Sequence, residues 1–483
     1  MTEKIKPSKE IISINPDKID FGNKEVVKDI IVTLLNLTEQ LLQSNQQLTE
    51  ENQRLMDEIN ILKGEKGKPK FKPSVPQKEN DVPEQKKPKN WHKKSKKQNI
   101  KIDKTETMRV DKSTLPPDAK HKGYRTVIVQ NIKLVTENIE YRLERYYSPS
   151  EHKIYEAKLP EGVNGEFGAD LKAFTHLLYS AGRVPEKKIW KILTEGKILI
   201  SKGQISNILT KDKQEKFTKE KEDIFKAGLE STDFFHTDDT GARHNGINYH
   251  VHVVCTALFS AFFIMSRKNK DTIKEILGLK KDEQTEKIMV SDDARQFMFI
   301  SLYHALCWIH EIRHYRKMNP MLEYHRTKLR EFLTKIWEFY ELLKEYKKNP
   351  SEPQKELLKK EFDDLFSTKT GYKELDKRIA LTREKKDKLL LVLDYPEIPL
   401  HNNPAEIGLR EFVLKKRISH GTRSKDGRIA WENMMSLLDT CRKQGISFFE
   451  YVKDIFSGEY KMTRLADLIT KKALVSSQKI ECL

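Results

Sequence analysis

The sequence predicts a mixed α/β protein: a mixed β-sheet covered by helices, broken by a helical insertion and preceded by smaller modules. Three observations carry that expectation. Leucine recurs every seven residues at Leu34, Leu41, Leu48, Leu55 and Leu62, the period of a helical zipper. Between 234 and 310, short β-branched and aromatic runs alternate with helical spacing, as in a mixed sheet. From 319 to 393 the apolar residues return at helical spacing, which marks an insertion rather than more sheet.

Composition narrows the function classes. At 483 residues the chain exceeds one ordinary domain. It carries 90 Lys+Arg against 72 Asp+Glu, a net charge of +18, which favours a polyanionic partner, most commonly nucleic acid. Half of that excess lies in 64–104, where 14 lysines face five acids. The four cysteines, Cys255, Cys307, Cys441 and Cys482, form no C-x-x-C pair. Neither a disulfide framework nor a cysteine-rich zinc site is expected, which fits a reducing cytosol. The N-terminus lacks the apolar stretch of a signal peptide. The most apolar run, 251–265, is too short to span a bilayer, so no membrane association is expected.

Each element follows from its local pattern. Ile31, Thr38, Asn45, Asn52 and Ile59 occupy the second seam position of the heptads. Two Asn there cost stability but favour a parallel dimer in fixed register, so 27–62 is expected to pair two chains. Residues 64–112 are Lys- and Pro-rich, and five prolines between Pro69 and Pro88 forbid a regular helix. From Tyr124 to Ala157 the pattern is strand-like, with S-P-S-E at 148–151 as a hairpin turn. Residues 188–209 predict a helix, a Gly-containing turn and a second helix capped by Ser201. Lys202, Gln204 and Asn207 would then lie near the exposed start of a DNA-contacting helix, although a plain helical hairpin fits equally well.

Beyond a Lys/Glu-rich helix at 211–229, F-F-H-T-D-D reads as a first strand that ends on Asp238. Y-H-V-H-V-V-C-T-A and F-S-A-F-F-I-M-S read as strands two and three, D-T-I-K-E-I-L as a helix, K-I-M-V-S-D as a buried strand and H-A-L-C-W-I-H as a further strand. In the insertion, Leu329, Leu333, Ile336, Tyr340 and Leu343 mark one apolar stripe, and Leu375, Ile379, Leu389 and Val392 a later one. The expected division is 1–63 (zipper segment), 64–112 (basic linker), 113–160 (hairpin module), 161–228 (helix-turn-helix-like region), 229–458 (sheet domain with insertion 319–393) and 459–483 (C-terminal tail).

Three acidic stretches stand out: H-T-D-D-T-G at 236–241, V-S-D-D at 290–293 and H-N-N-P-A-E at 401–406. Taken singly, each acid has an ordinary explanation as a turn or cap residue. Asn403 at N-cap, Pro404 at N1 and Glu406 at N3 match a capping arrangement. Taken together, Asp238, Asp292 and Glu406 in a basic chain suit two Mg²⁺ or Mn²⁺ ions, roughly 4 Å apart, held against phosphate. Without metal, clustered carboxylates repel one another and raise their pKa values. Arg410 and Arg417 follow Glu406, and Lys415, Lys416, Arg423 and Arg428 extend a basic strip towards DNA phosphate. Cys307 and His310 share a C-x-x-H spacing, but two ligands do not make a zinc site.

These motifs also carry a family resemblance. D-D-T-G, a strand pair, V-S-D, L-C-W-I-H-E-I-R and N-N-P-A-E-x-x-L-R resemble the bacterial insertion-sequence transposases of the family numbered sixty-six. The stretch 421–445 resembles that family's C-terminal helical region, and the likeness covers roughly 160 to 455. It implies an RNase H-like catalytic domain whose DDE triad falls on Asp238, Asp292 and Glu406. It further implies metal-dependent cleavage at transposon ends, strand transfer into double-stranded target DNA, and work at the nucleoid. Asp239 stands where the family usually has Glu, and Ala242 where it has Trp. The family's cysteine-rich zinc module finds no cysteine in 100–160, so no zinc is expected. Two other readings stay open: a non-catalytic DNA-binding relic, and a nuclease or resolvase on the same sheet.

Overall fold

The computed structural model describes residues 21–62, 101–111, 124–129, 136–160, 163 and 165–481. Residues 72–138 form a unit of their own, whose described stretches contain no helix or strand. Most of the expected linker, and the first residues of the zipper segment, lie outside the described residues. The strand expected from Tyr124 is absent over 124–129. Period-two alternation makes a strand only where a neighbouring strand supplies hydrogen bonds. Such a partner exists for β1 (Arg145–Ser148) and β2 (Lys153–Glu156), which pair antiparallel about the 149–152 turn.

Helix α1 (Lys24–Leu62) spans the heptads. A helical group follows the hairpin: α2 (Ala169–His176), α3 (Glu186–Glu195), α4 (Lys202–Thr210) and α5 (Gln214–Glu230). Ser201 caps α4 by accepting from the Gln204 amide. Ile189, Leu193, Ile205, Ile208 and Leu209 pack α3 and α4 on each other.

The central sheet has five strands in the order β5-β4-β3-β6-β7. They are β3 (Phe234–His244), β4 (Ile247–Cys255), β5 (Ser260–Met265), β6 (Ile288–Ser291) and β7 (His304–Leu306). The first three form an antiparallel meander, and β6 and β7 run parallel to β3. Such a sheet among many helices is compatible with an RNase H-like domain. The β3–β4 turn is Asn245-Gly246, with φ of 47° and 76°. An Asn-Gly pair with both φ positive closes a two-residue hairpin without steric penalty.

Both faces of the sheet are covered. On one, Val251, Val253, Phe262 and Ile264 meet α12 (Asn403–Ser419) and α13 (Lys425–Gln444). On the other, Phe235, Val254, Ala261 and Met289 meet α5, α6 (Lys270–Leu277), α14 (Phe448–Ser457) and α15 (Leu465–Glu481). Residues 459–483, read from sequence as a tail, thus carry a helix whose Leu465 and Ile469 are fully buried.

Two further differences matter for the site. H-A-L-C-W-I-H is strand only over β7; the chain turns at Cys307 into α7 (Trp308–Arg316). Short apolar runs do not distinguish a strand from a helix start by periodicity alone. The insertion consists of α8 (Glu323–Tyr346), α9 (Glu352–Phe366), α10 (Lys373–Arg383) and the short α11 (Lys386–Leu389). It does not keep a separate core. Its apolar stripes merge with Val290 of β6, Leu306 of β7 and Trp308 of α7 into one cluster. Trp308 is the pivot, in tilted contact with Phe339 and Phe366 and edge-on to Phe362, with its indole N–H donated to the Leu389 carbonyl.

Candidate active site

The site assembles where β6 ends beside β3. Asp238 does not end its strand, as expected from sequence; β3 continues to His244 because β4 pairs with it along that length. The pairing of β3 with β6, however, stops at His236–Val290. Beyond that point β3 has no strand partner on the β6 side until the single bridge from His244 to Thr422, and Asp238 stands beside the end of β6. Asp292 follows β6 directly, its Oδ1 accepting the Ala294 amide at 3.2 Å. Glu406 lies in the first turn of α12, which packs against β3 and β4.

Electrostatics tie the three acids together. Burial pushes the Asp238 carboxyl up to about 7, and the neighbouring Asp292, Asp239 and Glu406 carboxylates add to that rise. Burial likewise raises Asp292. Asp239 points to the opposite face of β3, as strand alternation requires. There Lys268 reaches its Oδ1 at 2.6 Å and the Gln296 amide donates to its Oδ2 at 2.7 Å.

Glu406 is not part of a capping box. The helix starts one residue earlier than expected, with Asn402 rather than Asn403 at the N-cap, and no side chain caps it. Asn402 is fully buried and clamps three elements. Its Nδ2 donates to the Thr237 carbonyl, its Oδ1 meets His236 Nδ1, and its backbone N–H reaches Cys307 Sγ. The Glu406 carboxylate turns to α7. Arg313 donates from Nη1 to Oε1 at 3.1 Å and from Nη2 to Oε2 at 3.0 Å, a two-pronged charge-assisted pair. His310 Nε2 stands 3.1 Å from Arg313 Nη1 and 3.5 Å from Glu406 Oε1. Since the guanidinium can only donate, that ring nitrogen accepts and His310 is neutral, in keeping with the downward push of burial.

Among the described residues, no three His, Cys, Asp or Glu side chains converge in the geometry of a metal cage. The donor chemistry nevertheless fits a hard divalent ion: all three acids offer carboxylate oxygen, and their mutual repulsion is what a cation relieves. Arg313, Asn402 and Lys268 did not emerge from the sequence as site residues, and His310 stood out only as half of a C-x-x-H pair. His310 and Arg313 sit three apart, one helical turn, but reading 304–310 as strand hid that spacing.

The expected DNA contacts divide. Lys202, Asn207, Arg410, Arg417 and Arg423 are exposed, and Gln204 is half-buried. Lys202 lies over the Trp190 ring at 4.7 Å. Two members of the proposed basic strip are turned inward instead. Lys415 is buried, donating to the Tyr179 carbonyl and lying 3.8 Å from that ring's centre. Arg428 binds the Ile264 carbonyl and Glu432. Lys416 is half-buried and donates to the Gly241 carbonyl. Their helix faces point to β3, β4 and β5, so packing overrides the charge pattern.

A profile of the Transposase IS66 family matches residues 165–429, more than half of the chain. The chain belongs to the IS66 transposase family. The matched span begins just before α2 and ends within α13, and so contains Asp238, Asp292, Glu406 and Arg313. The IS66-family chain is also similar to the uncharacterized protein y4jO of Sinorhizobium fredii, at 40% identity over 187 residues. That alignment covers 38% of this chain and 58% of the relative. No helix among the described residues is long and apolar enough to cross a membrane.

Proposed function

We propose that this chain is a DDE transposase, with an RNase H-like catalytic domain over 229–458 and Asp238, Asp292 and Glu406 as its acidic triad. The observation that supports it is the Asp238 carboxyl at the end of β6, which burial, with a smaller contribution from the neighbouring Asp292 and Glu406 carboxylates, raises to about 7. Two Mg²⁺ or Mn²⁺ ions would supply charge stabilisation to the phosphate and a more acidic attacking water. Asp238 and Asp292 would hold their oxygens from the sheet, and Glu406 would close the set from α12. Hydrolysis at the transposon end would free a 3′-hydroxyl, and that hydroxyl would then attack a target phosphodiester. Asn402 would fix the start of α12 against β3, so that Glu406 faces the aspartates.

DNA would be held by charge outside the triad. Lys202, Gln204 and Asn207 at the start of α4 would meet one duplex as the second helix of a helix-turn-helix. Arg410, Arg417 and Arg423 would meet phosphate beside the triad, and the 64–112 segment would track the backbone. The leucine seam of α1 would pair two protomers, as two transposon ends must be brought together.

The test supplies purified protein, Mg²⁺ and a duplex carrying the element's end. Strand-transfer products are expected from the wild type and should fall to background in Asp292→Ala. Equal product in that variant would remove the proposed ligand set.

A further inference from the structure

We infer that Arg313 is a positioning residue that latches Glu406 away from the aspartates until a divalent cation displaces it. The inference rests on the triad reading above and concerns how that triad is held before it is loaded. Both oxygens of Glu406 lie in the fork of one guanidinium, at 3.1 and 3.0 Å. The Glu406 side chain is 18% exposed and that of Arg313 is 42% exposed. The acid is thus enclosed, while the arginine has solvent into which to swing. His310 steadies the latch from the same helix, its neutral Nε2 accepting from Arg313 Nη1.

This geometry explains why three neighbouring acids do not form a cage among the described residues. Asp238 and Asp292 repel Glu406 when no cation lies between them, and Arg313 gives the third carboxylate a positive partner on α7 instead. A divalent ion carries twice the charge of the guanidinium and is attracted by all three acids, so it competes well for Glu406. Binding must break the two-pronged pair, and the apparent metal affinity is lowered by that amount. A partly exposed pair of this kind is worth up to about fivefold in an equilibrium. The latch makes completion of the site depend on the cation.

The experiment measures Mn²⁺ binding to the full chain without DNA, by titration calorimetry, so no turnover is involved. Arg313→Gln should bind Mn²⁺ more tightly than wild type, by up to about fivefold. Arg313→Lys keeps the charge but loses the fork, and should retain part of that gain. Lys317→Gln removes one positive charge from the exposed end of the same helix without touching Glu406, and should stay near wild type. Equal tightening in Arg313→Gln and Lys317→Gln, with none in Arg313→Lys, would reduce the effect to net charge and overturn the latch. Glu406→Gln should weaken Mn²⁺ binding. If instead it binds as wild type does, Glu406 is no ligand, and the triad reading falls together with the latch. If Glu406→Gln weakens binding but Arg313→Gln does not tighten it, the triad stands and the latch alone fails.

Discussion

His176 is enclosed by the rings of Phe217 and Phe456, and its Nε2 meets the Ile208 carbonyl at 3.1 Å. Its other nitrogen has no hydrogen-bond partner. One satisfied nitrogen and one orphan suit a neutral ring, and burial depresses the pKa from 6.5 to about 4. A depressed folded-state pKa means that the unfolded chain binds the proton first. The contribution of this neutral ring to stability is therefore full above pH 6.5 and is lost as pH falls towards 4. At pH 5 the loss is on the order of 1–2 kcal/mol. Replacing His176 with Phe keeps the aromatic packing and removes the proton site. The melting temperature of that variant should decline less between pH 7 and 5 than that of wild type. Parallel declines would show that the ring titrates normally. The same competition between burial and charge made single residues hard to read from sequence. Lys415 looked like one more cation on a basic helix, yet its position faces Tyr179 and Trp431. Asn402 looked like a neighbour of the cap, yet its amide joins β3 to α12. Both depend on which face of α12 meets the sheet, a tertiary fact that no local pattern contains.

At the scale of elements, α13 solves a problem that β5 creates. An edge strand leaves alternate N–H groups without partners, a liability that proteins cover or block. Here Glu432, Ser436 and Thr440 recur every fourth residue along α13, one face of a helix. They accept from the backbone N–H of Ile264, Phe262 and Ser260 in turn. The spacing of alternate strand residues, about 6.6 Å, is close to the roughly 6 Å rise of four helical residues, so helix and edge stay in register. Ser436→Ala leaves the buried Phe262 amide unsatisfied and should destabilise by about 1–3 kcal/mol. The Phe262 amide should also exchange its hydrogen faster than its neighbours on β4 do. An unchanged unfolding midpoint and unchanged exchange would show that water or another group replaces the hydroxyl. Element types were legible wherever one period ran long enough: the three meander strands, the two insertion stripes and the α3–α4 pair all follow their apolar spacing. The reading slipped where a run was short. H-A-L-C-W-I-H holds a three-residue strand and the first turn of α7, and its apolar residues serve both. That slip concealed the relation of Arg313 and His310 to Glu406, which exists only if 308–316 is helical.

On the scale of the whole molecule, α1 presents two faces with different fates. Asn36 exchanges hydrogen bonds with the Gly371 carbonyl and the Lys373 amide of the insertion. Glu39, almost fully buried, accepts from the Leu322 amide at the start of α8 and from His325, whose ring is stacked on Tyr372. Burial pushes the Glu39 carboxyl up, but the Met321 and Leu322 amides and His325 outweigh it, and the net shift is downward. The opposite face keeps Ile31, Leu34, Leu41, Leu48, Leu55 and Ile59 exposed. A stripe of apolar residues at heptad spacing that the described residues leave uncovered suits a second copy of itself. The proposed pairing would then transmit orientation: the docked face is anchored to the insertion, whose core is continuous with β6 and β7. Two protomers joined along the seam would hold their triads at a fixed relation. Leu48→Pro breaks the helix in mid-seam and should shift the solution mass, measured by light scattering, from dimer towards monomer. Glu39→Gln should leave the mass at the dimer, because its position is off the seam, while weakening the anchor to α8. Its signature would be faster amide exchange at Leu322 and a lower melting temperature. A dimer that survives Leu48→Pro would place the oligomer contact elsewhere. A dimer lost in Glu39→Gln would instead mean that the docked insertion, rather than the leucine seam, carries the pairing.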